Sequence, residues 1–392
     1  MDLSRIHEML DASAASHPGG TAIVDRDGTS VDWSRYAALS EEYAGIMRAA
    51  GVHPGDRVMI AAENCLAVAA AIFGASRIGA WAVPVNARMT GPELGRIAAH
   101  ADPALVLYTS HVSPEARAHA EAAGAAPLAT GAGDIHALAR PGASAEEPGA
   151  VAVLLYTTGT TGDPKGVMLT HSNLRFGARA SADLRQMVPG DVVYGVLPMT
   201  HVFGLVSVLM AAVSAGAKVR QESRFSAAKL HAATHEDVTI LPAVPQMHAL
   251  VMQYSRERGM PKLESPTLRY VSSGGAPLDP AWKRKAEAFY ELPLQNGFGM
   301  TETCSGASAT TNALGSPDTS VGPVTPGTEC KIDDQAPGGN GAGEGEVLVR
   351  GPHVMKGYYR NPTETDKAID AEGWLHTGDL GKLDKEGRLH IL

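Results

Sequence analysis

Residues 156–171 read YTTGTTGDPKGVMLTH and follow the apolar run AVAVLL at 150–155. A buried strand therefore runs straight into a loop built of glycine, threonine and one lysine. Glycines such as Gly159 let backbone N–H groups approach a ligand. Thr157, Thr158, Thr160 and Thr161 offer hydroxyl donors, and Lys165 adds a positive charge. These are the parts of a phosphate cradle, although a plain Gly/Thr hairpin turn has the same composition. The P-loop pattern GxxxxGK[ST] is not met, because Lys165 follows Pro164 and precedes Gly166. Apolar residues resume at 167–170, so the loop lies between two strands, whereas a P-loop opens a helix. Both points argue against a motor-type NTPase.

The loop belongs to a chain of 392 residues, long enough for one large lobed domain or two domains. With 44% hydrophobic and 19% charged residues, the composition is that of a globular protein in water. A formal net charge of −9 argues against nucleic acid or an anionic membrane as the main partner. Cys65, Cys304 and Cys330 form no CxxC pair, which fits free thiols in a reducing compartment and no zinc site. The apolar runs 66–78 and 202–217 are broken or bounded by Arg77, His201 and Lys218. Both are too short for a membrane span and read as buried helices. The amphipathic start reads as neither signal peptide nor transit sequence, and the cytoplasm is the expected location.

Strand-like and helical pieces alternate on both sides of the loop. Before it come the helix VDWSRYAALSEEYAGIMRAAG, the strand DRVMIAAE, the buried helix NCLAVAAAIFGASRIGA and the strand WAVPVN. After it come VVYGVLP, a helix behind His201, AKVRQE, VTILPAVP, LRYVSSGG and PLQNGFG. The alternation predicts an α/β fold with mostly parallel sheets. Residues 110–148, rich in Ala, Gly and Pro, read as a loosely specified surface connection with a helix or two. From Thr311 turn residues become dense, and GEVLVRG and GRLHIL predict a smaller β-rich lobe. His231 and His235 sit four apart on a helix with no third ligand, which reads as a solvated face rather than a zinc site.

The glycine–threonine loop resembles the signature loop of the adenylate-forming, AMP-binding enzymes, which include acyl-CoA synthetases. LPMTHVFGL at 197–205, SSGGAPL at 272–278 and NGFGMTET at 296–303 follow in that family's order. GEVLVRGPHVMKGYYRNPTETDKA and GWLHTGDLG complete the set. The resemblance covers nearly the whole chain. It implies the family's large N-terminal domain, with two α/β layered sublobes at roughly 1–170 and 171–315 and a β-rich sublobe at 316–392.

The resemblance also implies a chemistry: a carboxylate attacks the α-phosphate of ATP, pyrophosphate leaves, and the acyl group passes to CoA. Both reactants are anionic, so charge must be screened and in-line geometry held. The threonine loop and Lys165 would hold the phosphates. Thr301 would donate to the α-phosphate, and Glu302 would help to hold Mg2+, a hard cation that takes oxygen ligands. Gly274, Gly275 and Ala276 would form the adenine slot. Asn296, Gly297, Phe298, Gly299 and Met300 would complete the nucleotide site, with Phe298 standing where the family often has Tyr. Asp379 of HTGDLG would take both ribose hydroxyls. His201 would either orient the substrate carboxylate or gate the acyl pocket, whose other walls would include Phe203, Met247, Gly275 and Gly299. Taken singly, several of these have plainer readings, such as a solvated Glu302, a turn-capping Asp379 or a structural His201.

Two departures from the family pattern narrow the expectation. Family members that activate amino acids usually carry an aspartate beside the PMTHVFG position. Here the segment is Thr200-His201-Val202-Phe203, and an ammonium buried there would lack a partner. The expected acid therefore has no α-amine and is fatty or aromatic. The family also continues past a segment like EGRLHIL into a hinge and a small C-terminal domain carrying a lysine, whereas this sequence ends at Leu392. Loss of one preorganised cation commonly costs on the order of 10²–10³ in rate, so slow turnover by these residues alone is expected. Transfer to a carrier-protein thiol, or a non-catalytic nucleotide-binding module, are the alternatives. No integral membrane span and no nucleic-acid partner are expected, and oligomeric state is not legible.

Overall fold

The structure, a computed structural model, describes residues 4–140, 145–147, 149–158 and 164–392. Two eight-stranded sheets and one four-stranded sheet carry the chain. The first large sheet has at its centre Trp81–Asn86, Arg57–Ala62 and Leu105–Tyr108, all parallel. Val151–Thr158 joins them in parallel and then turns back antiparallel into Pro164–Thr170, so the glycine–threonine loop does connect two strands of a hairpin. The second sheet runs Leu294–Phe298, Tyr270–Gly274, Ile240–Ala243, Val192–Gly195, Lys218–Gln221 and Thr21–Val24 in parallel, with a short antiparallel strand at each edge.

Layering follows from the two-residue period of the strands. Val58, Ile60 and Ala62 of the first sheet and Val193, Val219 and Ile240 of the second share one apolar core with the helices between the sheets. Leu66–Arg77, buried along its length, is one of those helices. Met59, Ala61 and Val83 face the other way, onto the helices Gly91–Ala101 and Pro114–Ala122. Tyr194, Leu241 and Val271 likewise face the helices Ala227–Glu236, Pro245–Arg256 and Pro280–Tyr290. Helix and sheet layers thus alternate five deep. Among the described residues no helix is long and apolar enough to cross a membrane.

The sheets are not contiguous in sequence. Thr21–Val24 and Ser30–Asp32 lie at the edge of the second sheet, although they come from the first 170 residues. Gly357–Tyr358, from the β-rich end, pairs with Pro164–Thr170 on the first. Residues 110–148 also depart from the expected loose connection. Ala126–Leu128 and Ile135–Ala139 add two antiparallel strands to the first sheet. Both are short and largely unburied, Ala126–Leu128 at the sheet edge and Ile135–Ala139 next to it, and Ile135 is the one fully buried position, so they leave almost no apolar alternation to read. The third sheet, Glu329–Asp333, Gly345–Arg350, Leu375–Leu383 and Leu389–Ile391, is antiparallel throughout, which is the architecture expected of the β-rich sublobe.

One side chain ties the two large sheets together where their strands end. Asn64, buried after the strand Arg57–Ala62, donates to the carbonyls of Gly195 and Leu197 at 3.1 and 2.8 Å. Its Oδ1 accepts from the Met199 N–H at 2.8 Å. The loop carrying His201 is therefore pinned to the opposite sheet. Replacing Asn64 by leucine, close in volume, strands buried polar groups and should lower the unfolding free energy by about 2–4 kcal/mol. Urea denaturation of Asn64→Leu against the parent measures this, and a change below about 0.5 kcal/mol would refute the clamp.

Candidate active site

In open α/β sheets ligands bind beyond the carboxyl ends of parallel strands. Here Gly274 and Gly297 are register partners at the ends of Tyr270–Gly274 and Leu294–Phe298. Beside them lies a cavity of about 120 Å³ lined by His201, Phe203, Gly274, Gly275, Asn296, Gly297, Phe298 and Gly299. Glycine is required at two of these positions. Gly275 has φ +79°, and a Cβ on Gly299 would fall 1.3 Å from the Ser305 carbonyl oxygen. The Phe203 ring is 3.1 Å from where a Cβ on Gly274 would stand, so the slot is closed to larger residues.

His201 stands at the mouth, one edge in solvent. Its Nδ1 accepts the Phe203 N–H at 3.2 Å, which leaves the ring proton on Nε2. Desolvation by the surrounding protein lowers its pKa, so at neutral pH the ring is an uncharged Nε2–H donor. The chain behind it winds as a π-helix, Phe203–Met210, before continuing as Ala211–Ala215. π-Helical turns occur often at functional sites. Met247 is placed elsewhere, in a separate recess of about 210 Å³ with Asn64, Pro198 and Arg224. Ala276 is exposed beside the slot.

The phosphate-binding candidates sit on the hairpin. Thr157 is paired across it with Lys165, and Thr158 lies on the same strand. Gly159, Thr160 and Thr161 lie outside the described residues. The Lys165 ammonium donates to Glu364 at 2.5 Å and lies 5.1 Å from the centre of the Tyr358 ring. Lys165 and Lys367 hold the Glu364 carboxyl down at about 2. The Tyr358 hydroxyl donates to Glu302 Oε1 at 2.8 Å. Lys165, Tyr358 and Glu302 therefore form one connected group, although they come from three segments. Lys165 also faces a recess of about 680 Å³ with Arg96, His100 and Asn361.

Thr301 and Glu302 are buried in the single turn Thr301–Thr303, which is closed by a 2.9 Å bond from the Met300 N–H to Thr303 Oγ1. Glu302 suits Mg2+ as a hard oxygen donor. Among the described residues no cluster of three or more His, Cys, Asp or Glu accompanies it. A magnesium ion held there would complete its shell with phosphate oxygens and water, as that ion commonly does. Asp379 stands on the third sheet, in the strand Leu375–Leu383. Burial first, and the Glu346 charge second, raise its pKa. Its carboxyl accepts no hydrogen bond from the described residues, so both oxygens are available to a vicinal diol. It does not line the cavity. Asn64, Tyr358 and Glu364 are contributors that sequence reading does not single out. The last two lie inside GYYRNPTE, a motif legible only as a string.

The family described as AMP-binding enzyme matches residues 10–359. The chain is 31% identical to 4-coumarate–CoA ligase 5 of Oryza sativa subsp. japonica, over 99% of this chain and 75% of that protein. It is also 31% identical to long-chain-fatty-acid–CoA ligase FadD13 of Mycobacterium tuberculosis, over 99% of this chain and 78% of the relative. Among solved structures, the inhibitor-bound N-terminal domain of FACL13 from Mycobacterium tuberculosis superposes with a TM-score of 0.84 at 27% identity. That match spans 100% of this chain and 99% of the other.

Asp379 gives a test in which stability and binding part company. Its folded-state pKa lies above the unfolded value, so its contribution to stability is fully present below the unfolded pKa and lost as pH rises through the raised one. At neutral pH the half-buried charge is a cost, which Asp379→Asn removes. The variant should be no less stable to urea at pH 7, yet bind AMP about ten- to a hundredfold more weakly, as measured by calorimetry. Unchanged AMP affinity would remove Asp379 from the ribose site.

Proposed function

The chain belongs to the AMP-binding enzyme family and is an acid–thiol ligase of the CoA-ligase type, and from that premise we propose that it activates a short carboxylic acid without an α-amino group. One observation carries this reading: the cavity between His201, Phe203 and the glycine slot is small, and no Asp or Glu of the described residues lines it. An engineered cavity of about 150 Å³ holds a benzene molecule, so about 120 Å³ accommodates a few carbons. A substrate ammonium would be buried there without a counter-charge. This narrows the expected fatty or aromatic acid to its short members.

The residues then divide the work. The neutral His201 donates from Nε2 to one oxygen of the substrate carboxylate and aims the other at the α-phosphorus of ATP. That oxygen forms the new P–O bond as the bond to pyrophosphate breaks. Lys165 and the hydroxyls of the threonine loop hold the phosphates. Lys165 first leaves Glu364, a small cost for a partly exposed ion pair. The Thr301 hydroxyl donates to the α-phosphate. Glu302 would hold Mg2+, which when bound would supply charge neutralisation for the phosphates. Asp379 accepts from the ribose diol, and adenine lies between residues 274–276 and Phe298. The CoA sulfur then attacks the acyl carbon, AMP departs, and the thiol proton passes to solvent.

The size of the cavity predicts an order of affinities. Acyl-sulfamoyl-adenosines copy the adenylate and need no turnover. Acetyl to butanoyl forms at about a hundredfold their Kd should stabilise the chain by about 2.7 kcal/mol, a shift of several degrees in Tm. Octanoyl and cinnamoyl forms at the same concentration should shift it less. Equal or larger shifts with the long or aromatic forms would overturn the short-acid reading.

A further inference from the structure

The inner end of this cavity holds a cation that the activation chemistry does not use. Arg185 caps the C-terminus of the helix His171–Leu184, and its side chain turns inward until the residue is only 5% exposed. It lines the cavity. One terminal nitrogen donates to the Ser207 carbonyl, while Nε has no hydrogen-bond partner. The Tyr270 phenol lies beside the guanidinium, and no carboxylate of the described residues contributes to its surroundings. A buried guanidinium without a counter-ion is costly, and such groups are nearly always paired.

Hydroxyls crowd the same wall. Ser181 and Ser207 are 3.2 Å apart, and Ser207 is hydrogen-bonded to Ser305. Ser273 and Ser308 are buried with no partner for Oγ. Ser305 is also held at φ +93°, a backbone region that non-glycine residues seldom occupy and that often marks a binding site. A purely hydrocarbon acyl chain would leave Arg185 Nε and the Ser273 and Ser308 hydroxyls unsatisfied, at about 1–3 kcal/mol for each buried unpaired donor.

Position separates this end from the reacting one. His201 precedes the π-helix, whereas Ser207, which Arg185 touches, lies in the middle of it. Tyr270 begins the strand whose last residue, Gly274, borders the nucleotide slot. A group seated at Arg185 is therefore not the carboxylate presented at His201. Because both residues line one cavity, such a group would be the far end of the molecule whose carboxylate is at His201.

Resting on the acid-activating reading above, we propose that Arg185 receives a second carboxylate and that the acid activated is a short dicarboxylic acid. The guanidinium Nε–H and the serine hydroxyls give a planar carboxylate both charge and donors. The cavity volume limits the spacer between the two carboxyl groups to a few carbons.

The test compares adenylate mimics matched in shape. Succinyl-sulfamoyl-adenosine is set against the 4-methylpentanoyl form, in which an isopropyl group replaces the far carboxylate. The malonyl form is set against the 3-methylbutanoyl form. By calorimetry, the carboxylated member of at least one pair should bind at least about tenfold tighter. In Arg185→Met the carboxylated member should lose at least about tenfold more affinity than its isostere. Equal binding, or preference for the isosteres, in the unaltered protein overturns the proposal, even if Arg185→Met fails to fold. So does a preference that survives in Arg185→Met. Tight binding of the isosteres alone would sink the dicarboxylate while leaving acid activation standing. Binding of no mimic would remove both.

Discussion

Everything at the site depends on how the segment from Gly195 to His201 is held between two sheets. Asn64 fixes it from the first sheet through three hydrogen bonds. Gly204 then lets the following helix fold back on the same segment, since a Cβ there would lie 2.2 Å from the Pro198 carbonyl oxygen and 2.3 Å from that of Leu197. With the segment fixed, the Phe203 N–H meets His201 Nδ1 and the Phe203 ring closes over Gly274. The small cavity and the state of the histidine thus have one origin. They come from backbone approach, which only small residues permit, and from one buried amide that joins two layers.

Charge is distributed to match. The chain is acidic as a whole, with a formal net charge of −9, yet its reactants are anions. The cations that matter are held individually. Lys165 rests on Glu364 and over the Tyr358 ring, in a partly exposed pair of the kind that contributes little stability. Arg185 is buried without a carboxylate and keeps a free donor. Asp379 is the converse, a carboxyl whose pKa is raised by burial and then by the Glu346 charge, with no donor among the described residues to offset them. Arg185 Nε and the Asp379 carboxyl thus have no hydrogen-bond partner among the described residues, whereas Lys165 has one in Glu364.

Much of this was legible in the sequence, for physical reasons. The long strands and the buried helices 66–77 and 203–215 announce themselves because both faces are apolar, and the glycine–threonine hairpin does so because two apolar runs bracket it. The strands 126–128 and 135–139 escape because a half-exposed strand of three to five residues needs only one buried side chain. The pairing of residues 21–32 with a sheet built mostly from residues 192–309 escapes because strand order is a long-range property. At the site, glycine motifs are visible in a string because no other residue fits. Arg185 is not. At a helix end it reads as an ordinary basic residue complementing the helix dipole, and only its inward turn gives it a place in the cavity. Met247 shows the reverse: an apolar residue expected on the acyl-pocket wall stands in a neighbouring recess.

The central claim is that a carboxylate oxygen attacks the α-phosphorus of ATP at this site. Oxygen tracing tests it most directly. The acid whose adenylate mimic binds tightest is supplied with 18O in both carboxylate oxygens, together with Mg-ATP, CoA and stoichiometric protein, and the nucleotide is analysed by mass spectrometry. The account predicts AMP carrying one 18O atom, left behind when the acyl group departs. Unlabelled AMP, or ADP with the label in inorganic phosphate, would contradict it.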